Sequence, residues 1–251
     1  MNKELYFICE PSEFKPGVKI YPPTVKDVIT NQYYGHYGRL LTYSQEEVED
    51  EFLEAKKELE KYPTPIEFML NNSYHNKQYE QLCKDAFKFF IHQEVNFLYG
   101  QKMIVVGNVE EVLKNARTLD DIITLKEEEF FEFQNAIREC IGKKPVEPPD
   151  PNEHPKIKEM KRRARYRDKV KAKNAANGKD GITLFTSLVS ICCMGLGITP
   201  LNIGEMSYVA IDSVLRKYQE KEKYQLDIES LLAGADSKKI KPKYWIRNFE
   251  E

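Results

Sequence analysis

Four histidines, His36, His75, His92 and His154, are the residues best suited to proton transfer or metal binding. A helical metal site needs two histidines at i and i+4, often as H-E-x-x-H, and no pair here has that spacing. His75 has the right chemistry for a base, but an isolated histidine in a polar stretch is typical of a protein surface. The carboxylates lie in solvated charge runs, not in the constrained setting that separates the pKa values of a catalytic pair. We therefore expect no catalytic residues and no metal site, and we predict that the chain is not an enzyme.

The glycine motifs do not support cofactor binding either. Gly178-Lys179 lacks the upstream glycine and the following hydroxyl of a phosphate-binding loop. Gly195 and Gly197 follow an apolar segment but lack the third glycine of a dinucleotide-binding turn. No G-x-S-x-G sequence is present. We expect no cofactor.

Residues 156–173 form a basic segment with a local charge of +8, because ten Lys and Arg residues face two acidic ones. Such a segment could contact several phosphates of a nucleic acid, with a steep salt dependence. Only Tyr166 could stack on a base, so a tether or a dock for an acidic protein patch explains the segment equally well. The candidate contact residues are Lys161, Arg162, Arg163, Arg165 and Arg167.

The C-terminal tail contains the only tryptophan of the chain, in an aromatic group with cationic neighbours. Aromatic anchors with a cationic rim are typical of binding hot spots. The tail could equally fold back over its own helices and bury the tryptophan. The candidate partner-binding residues are Lys238, Lys239, Tyr244, Trp245, Ile246 and Arg247.

The periodicity of apolar residues predicts a mainly α-helical fold. Thr24, Ser44 and Thr64 each precede an acidic residue by three positions and should begin helices, the second of them running to about residue 62 with a strongly acidic surface. That surface is either solvated or a dock for a basic partner. Thr124 with Glu127 predicts a further helix, and 108–116 another. The apolar runs 5–9 and 18–21 predict a small N-terminal β-hairpin.

Composition divides the chain into three parts. Residues 1–142 should form a helical body, 143–180 a proline-rich linker with the basic segment, and 181–251 a small helical C-terminal domain with an aromatic tail. Within the last part, 184–198 is apolar enough to be a buried helix and too short to span a bilayer. Five cysteines without disulfide or zinc spacing, and a start without a signal peptide, predict a cytoplasmic protein that does not enter the membrane.

The C-terminal part resembles the tail assembly chaperones of long-tailed bacteriophages and prophages. The resemblance lies in LNIGEMSY (201–208), the helix through KEKY (221–224), LLAGADSKK (231–239) and YWIRN (244–248), and the run 20–29 is similar to the start of other phage structural-operon proteins. It covers about 70 residues, and the N-terminal body is larger and more aromatic than the family leads us to expect.

The resemblance implies a non-catalytic protein that binds the tape measure protein, the tail tube protein or both during virion morphogenesis in the host cytoplasm. It also implies that the C-terminal unit contacts the tube protein. Two other functions are compatible with the residues. The chain could be a nucleic-acid-binding or packaging factor that uses 156–173, or a structural neck or baseplate component of the virion.

Overall fold

The computed structural model describes residues 4–31, 34–57, 62–107, 122–150, 152–176, 190–195, 197–236 and 239–244. The protein is mostly helical with a small N-terminal antiparallel β-hairpin and a helical C-terminal region, which confirms the predicted fold class. The helices are α1 Glu4–Phe7, α2 Val25–Thr30, α3 Tyr34–Leu40, α4 Gln45–Glu54, α5 Pro65–His75, α6 Lys77–Ile91, α7 Glu127–Cys140, α8 Pro155–Ala176, α9 Pro200–Ile203 and α10 Tyr208–Leu232. The strands are β1 Ser12–Lys15, β2 Val18–Ile20, β3 Val95–Leu98, β4 Met103–Val106 and β5 Thr124–Leu125. The helix predicted over 108–116 lies outside the described residues.

The N-terminal hairpin pairs β1 with β2, and Ser12 lies opposite Ile20. The prediction that residues 5–9 supply the first strand is wrong, because Glu4–Phe7 form the short helix α1. The turn explains the difference. Pro16 fixes its own backbone and Gly17 adopts φ +83°, so the two residues reverse the chain and pair β2 with the stretch just before them.

Capping side chains begin three of the body helices as predicted. The hydroxyls of Thr24, Ser44 and Thr64 each accept a hydrogen bond from the backbone N–H three residues on, and the acidic side chain there accepts one in return. Helix α4 nevertheless ends at Glu54, earlier than predicted, and Lys56 has φ +51°. Thr124 does not begin a helix, because it belongs to β5 and α7 begins after Lys126.

The body core is a cluster of buried side chains from α5, α6, α7 and both sheets. Phe87 and Phe133 stack at its centre with ring centroids 5.3 Å apart, and Phe130 packs beside them. Strands β3, β4 and β5 form an antiparallel sheet in that order, so Met103–Val106 is the central strand. Complete burial contributes about 1.5–3 kcal/mol for each large apolar side chain, so this cluster dominates the stability of the body.

A second, smaller cluster of buried side chains joins the C-terminal region to α2. Val25 of α2 is the residue that the body supplies to it. The N–H of Val25 donates to the carbonyl of Met206 at 3.0 Å, and the N–H of Tyr208 donates to the carbonyl of Pro23 at 2.9 Å. These backbone hydrogen bonds fix the start of α10 against the start of α2. The buried members of the second cluster are Val25, Cys192, Ile203, Ile211 and Leu215.

The apolar run 184–198 is only partly buried where it is described. Residues 190–195 are helical, and Cys192 is buried, but Ile191 is exposed and Met194 is 86% exposed. The prediction of a helix buried on all sides is therefore wrong for 190–195, and 184–189 lie outside the described residues. No helix in the described part of the chain is both long enough and apolar enough to cross a bilayer.

Candidate partner-binding surfaces

The basic segment forms α8, which we call the basic helix. It begins at Pro155, a residue that is favoured at the first helical position because its missing N–H would have no intrahelical partner. The ring nitrogen Nδ1 of His154 accepts a hydrogen bond from the N–H of Lys156 at 3.2 Å, which satisfies one of the free donors of the first turn. A single helix places its charges on fixed sides, which a flexible tether could not do.

One side of the basic helix forms ion pairs with α4, which we call the acidic helix. Arg165 is central, with its guanidinium 3.0 Å from the carboxylate of Asp50 and in contact with that of Glu46. The pairs that flank it join Lys158 to Glu49 at 2.7 Å and Lys169 to Glu54 at 2.9 Å.

The acidic partners lie at 46, 49, 50 and 54, a spacing of three and four residues that places them on one side of a helix. The acidic helix therefore docks a basic helix of its own chain. Sequence reasoning identified both charged stretches but did not pair them, and their opposite charge at matched helical spacing was the available signal.

Electrostatic attraction is the main force that the contact offers. Exposed ion pairs typically contribute about 0.2–1 kcal/mol each, and a network with a half-buried arginine lies at the upper end of that range. Arg165 has its side chain 27% exposed, and Asp50 24%. The large apolar side chains of the basic helix, Ile157, Met160, Tyr166 and Val170, are all exposed.

The other predicted basic residues have different partners. Lys161 pairs with Glu153, and Arg162 and Arg163 share Glu159 on their own helix. Two arginine side chains hydrogen-bond to the Glu159 carboxylate and lower its pKa to about 2. Arg167 is exposed and forms no ion pair within the described residues.

The described part of the tail folds back along α10, which we call the C-terminal helix. The Tyr244 ring packs edge-on against Tyr224 with centroids 5.5 Å apart, yet Tyr244 remains 47% exposed. Lys239 lies in the turn before it and is exposed. Lys238, Trp245, Ile246 and Arg247 lie outside the described residues. The structure thus brings one of the predicted aromatic residues onto the C-terminal helix.

A groove of about 310 Å³ separates the tail from the C-terminal helix. Lys223, Tyr224 and Asp227 line the helix side, and Lys241, Lys243 and Tyr244 line the tail side. Leu226, which lies between Tyr224 and Asp227, is exposed, and so is Leu232 further along the helix. Tyr224 and Tyr244 are of the aromatic type that is enriched in protein–protein interfaces, and the charged residues around them are typical of an interface rim.

Several of the described histidine and cysteine side chains that could take part in catalysis make packing contacts or are buried. His92 stacks on Tyr21 with centroids 3.8 Å apart, and His75 packs edge-on against Tyr74. Burial raises the pKa of the Cys83 thiol to about 12, so the thiolate needed for nucleophilic attack is not formed at neutral pH. Among the described residues, no three His, Cys, Asp or Glu side chains are grouped to hold a metal ion.

Comparison with known families adds one finding. Residues 173–250 match the family described as the YomV second domain. This family is phage-derived, and the matched segment is a little under a third of the chain. It contains the C-terminal helix, the groove and Tyr244. No curated protein and no solved structure matched the chain.

Proposed function

We propose that this protein is a non-catalytic phage tail assembly chaperone that binds the tape measure protein, the tail tube protein or both during virion morphogenesis. The observation that carries the proposal is the match of residues 173–250 to a phage-derived family, over the same part of the chain that resembles the chaperones. The exposed side chains of the matched segment support binding to another protein, because Leu226, Leu232 and Tyr244 lie among charged groups of both signs.

The C-terminal helix and tail are the proposed client-binding surface. Leu226, Leu232 and Tyr244 are exposed on or beside one projecting helix, whereas the start of that helix is fixed to α2. A client that covers these side chains would gain hydrophobic free energy without displacing the second cluster. Several copies that each bind a long client weakly would together hold it by avidity.

The test is co-expression of the tagged chain with tape measure and tail tube proteins, followed by pull-down. We expect at least one of the two proteins to be recovered as a complex. Recovery of neither would contradict the proposal. A chaperone should also be missing from purified virions, whereas a neck or baseplate component would remain in them.

Two variants locate the client-binding surface. Deletion of residues 236–251, which removes Tyr244, or Leu226→Ser should weaken client capture while the circular dichroism spectrum stays unchanged, because Leu226 and Tyr244 are exposed. Ile29→Ser removes an exposed apolar side chain from the body and is the matched control. Equal loss of capture in the control would show that the effect is not specific to the C-terminal helix.

A further inference from the structure

The basic helix has a second side that nothing in the described part of the chain covers. Lys156, Met160, Arg163, Arg167 and Val170 follow one another at spacings of four, three, four and three residues. This spacing places them along one stripe of a helix, which we call the outer face. At about 100° per residue, the outer face lies roughly opposite the residues that pair with the acidic helix.

The outer face exposes apolar side chains to water, and covering them would be favourable. Met160 is 69% exposed and Val170 39%, and Ile157, about a quarter turn from the stripe, is half exposed. Isolated apolar residues are common on surfaces, but these lie on a helix whose opposite side holds it to the body through charge. The exposed stripe therefore has no role in holding the helix to the body.

The charges on the outer face indicate which partner fits. Lys156, Arg163 and Arg167 alternate with the apolar residues, and Arg167 forms no ion pair within the described residues. The acidic helix provides an example within the same chain of a complementary surface, because its carboxylates at spacings of three and four residues engage the cations of the inner side.

We propose that the outer face is a docking surface for an acidic amphipathic helix of a partner protein. The apolar stripe of that helix would cover Met160 and Val170. Its flanking carboxylates would pair with Arg167 and with Arg163, which is exposed and shares Glu159 with Arg162 on its own helix. The basic helix would then lie between two acidic helices, one from its own chain and one from the partner. The proposal rests on these contacts alone and holds whatever the identity of the client.

A nucleic acid fits the outer face less well. Phosphates would satisfy the cations but would leave the interleaved Met160 and Val170 in contact with water, whereas an amphipathic helix satisfies both. This difference makes the apolar residues the discriminating positions, because their removal should affect a helical partner and not a phosphate backbone.

The experiment measures binding of the full-length chain to a fluorescent, helix-stapled peptide with the sequence of residues 44–57. This peptide is acidic and amphipathic, with six carboxylates, two lysines and the apolar residues Val48 and Phe52. Met160→Ser and Arg167→Glu should each weaken binding by about tenfold or more. Lys19→Glu makes the same charge change as Arg167→Glu on an exposed strand residue of the body and should leave binding unchanged.

Three results would overturn the proposal. The first is that the unaltered chain does not bind the peptide. The second is that Arg165→Glu weakens binding whereas the outer-face variants do not, because the peptide would then be replacing the acidic helix on the inner side. The third is that a 20-nucleotide single-stranded DNA binds more tightly than the peptide, with affinity that is lost in Arg167→Glu and kept in Met160→Ser. All variants change exposed or half-exposed side chains, and thermal unfolding will verify that each remains folded.

Discussion

Different forces hold the body core together and hold the basic helix against the body. The core buries aromatic rings such as Phe87 and Phe133 completely, at the meeting point of helices and a three-stranded sheet. The basic helix exposes its apolar side chains and meets the acidic helix through ion pairs. The first attachment depends on shape and apolar area, and the second on ionic strength and pH. We therefore expect conditions that weaken ion pairs to loosen the basic helix while the body stays folded.

The largest expected effect is on the core side of the comparison. Phe133→Ala removes a fully buried ring that stacks on Phe87, leaving a cavity that the neighbouring helices fill only in part. The free energy of unfolding should fall by about 3–5 kcal/mol. Urea denaturation followed by circular dichroism measures this change. A loss below about 1 kcal/mol would show that the core around Phe133 is not tightly packed.

Charge reversal at the centre of the ion-pair network tests the other side. Arg165→Glu removes the pairs with Glu46 and Asp50 and places like charges together. We expect the contact to lose about 1 kcal/mol, and amide exchange over 155–170 to become roughly fivefold faster. Exchange in α7 should not change. Arg167→Glu is the matched control, since that side chain lies on the outer face, and equal acceleration in it would refute the assigned pairing.

Salt should separate the two attachments without any substitution. The Debye length falls from about 10 Å at 0.1 M salt to about 3 Å at 1 M, which screens exposed pairs such as Lys169 with Glu54. In 1 M NaCl, amide exchange over 155–170 should become faster, by an amount that corresponds to less than about 1 kcal/mol in the free energy of opening. The amides of the body core should keep their protection. Equal loss of protection in both regions would remove the distinction between them.

The smallest effect concerns alkaline pH. The hydrogen bond to Glu54 raises the pKa of Lys169 above its ordinary value of 10.5. A raised pKa means that this pair stabilises the contact fully below pH 10.5 and is lost as pH rises through the higher folded value. Carbon-13 NMR of labelled lysines, assigned with Lys169→Arg, should show a late titration for Lys169. A midpoint at or below 10.5 would contradict the pairing.

Helix starts that depend on residues close in sequence were predicted well, and contacts between distant segments were not. The capping boxes at Thr24, Ser44 and Thr64 involve residues three apart, so the sequence contains the whole interaction. The strand at Thr124 overrides an equally good cap signal, because its pairing with β4 completes the sheet. Tertiary pairing of this kind depends on segments that the local pattern does not include.

The same reason explains what was predicted of the candidate surfaces. Basic and acidic stretches were identified from composition, but Arg165 and Asp50 are 115 residues apart in sequence. Either stretch alone reads as a solvated helix surface. For the tail, the sequence left two alternatives open, which were folding back over the helices and remaining available for binding. Tyr244 packs on Tyr224 and still keeps nearly half its surface exposed, so it has features of both.

Val25 has a consequence for any attempt to isolate the matched segment. Its side chain closes the second cluster from a position almost 150 residues before that segment begins. A fragment cut at residue 173 would leave Ile203, Ile211 and Leu215 without that cover, and its purified form should self-associate or bind hydrophobic dyes. Adding α2, either as a peptide or by fusion, should then restore the cover and reduce self-association. The second cluster is thus built from residues of α2 and of the C-terminal region together.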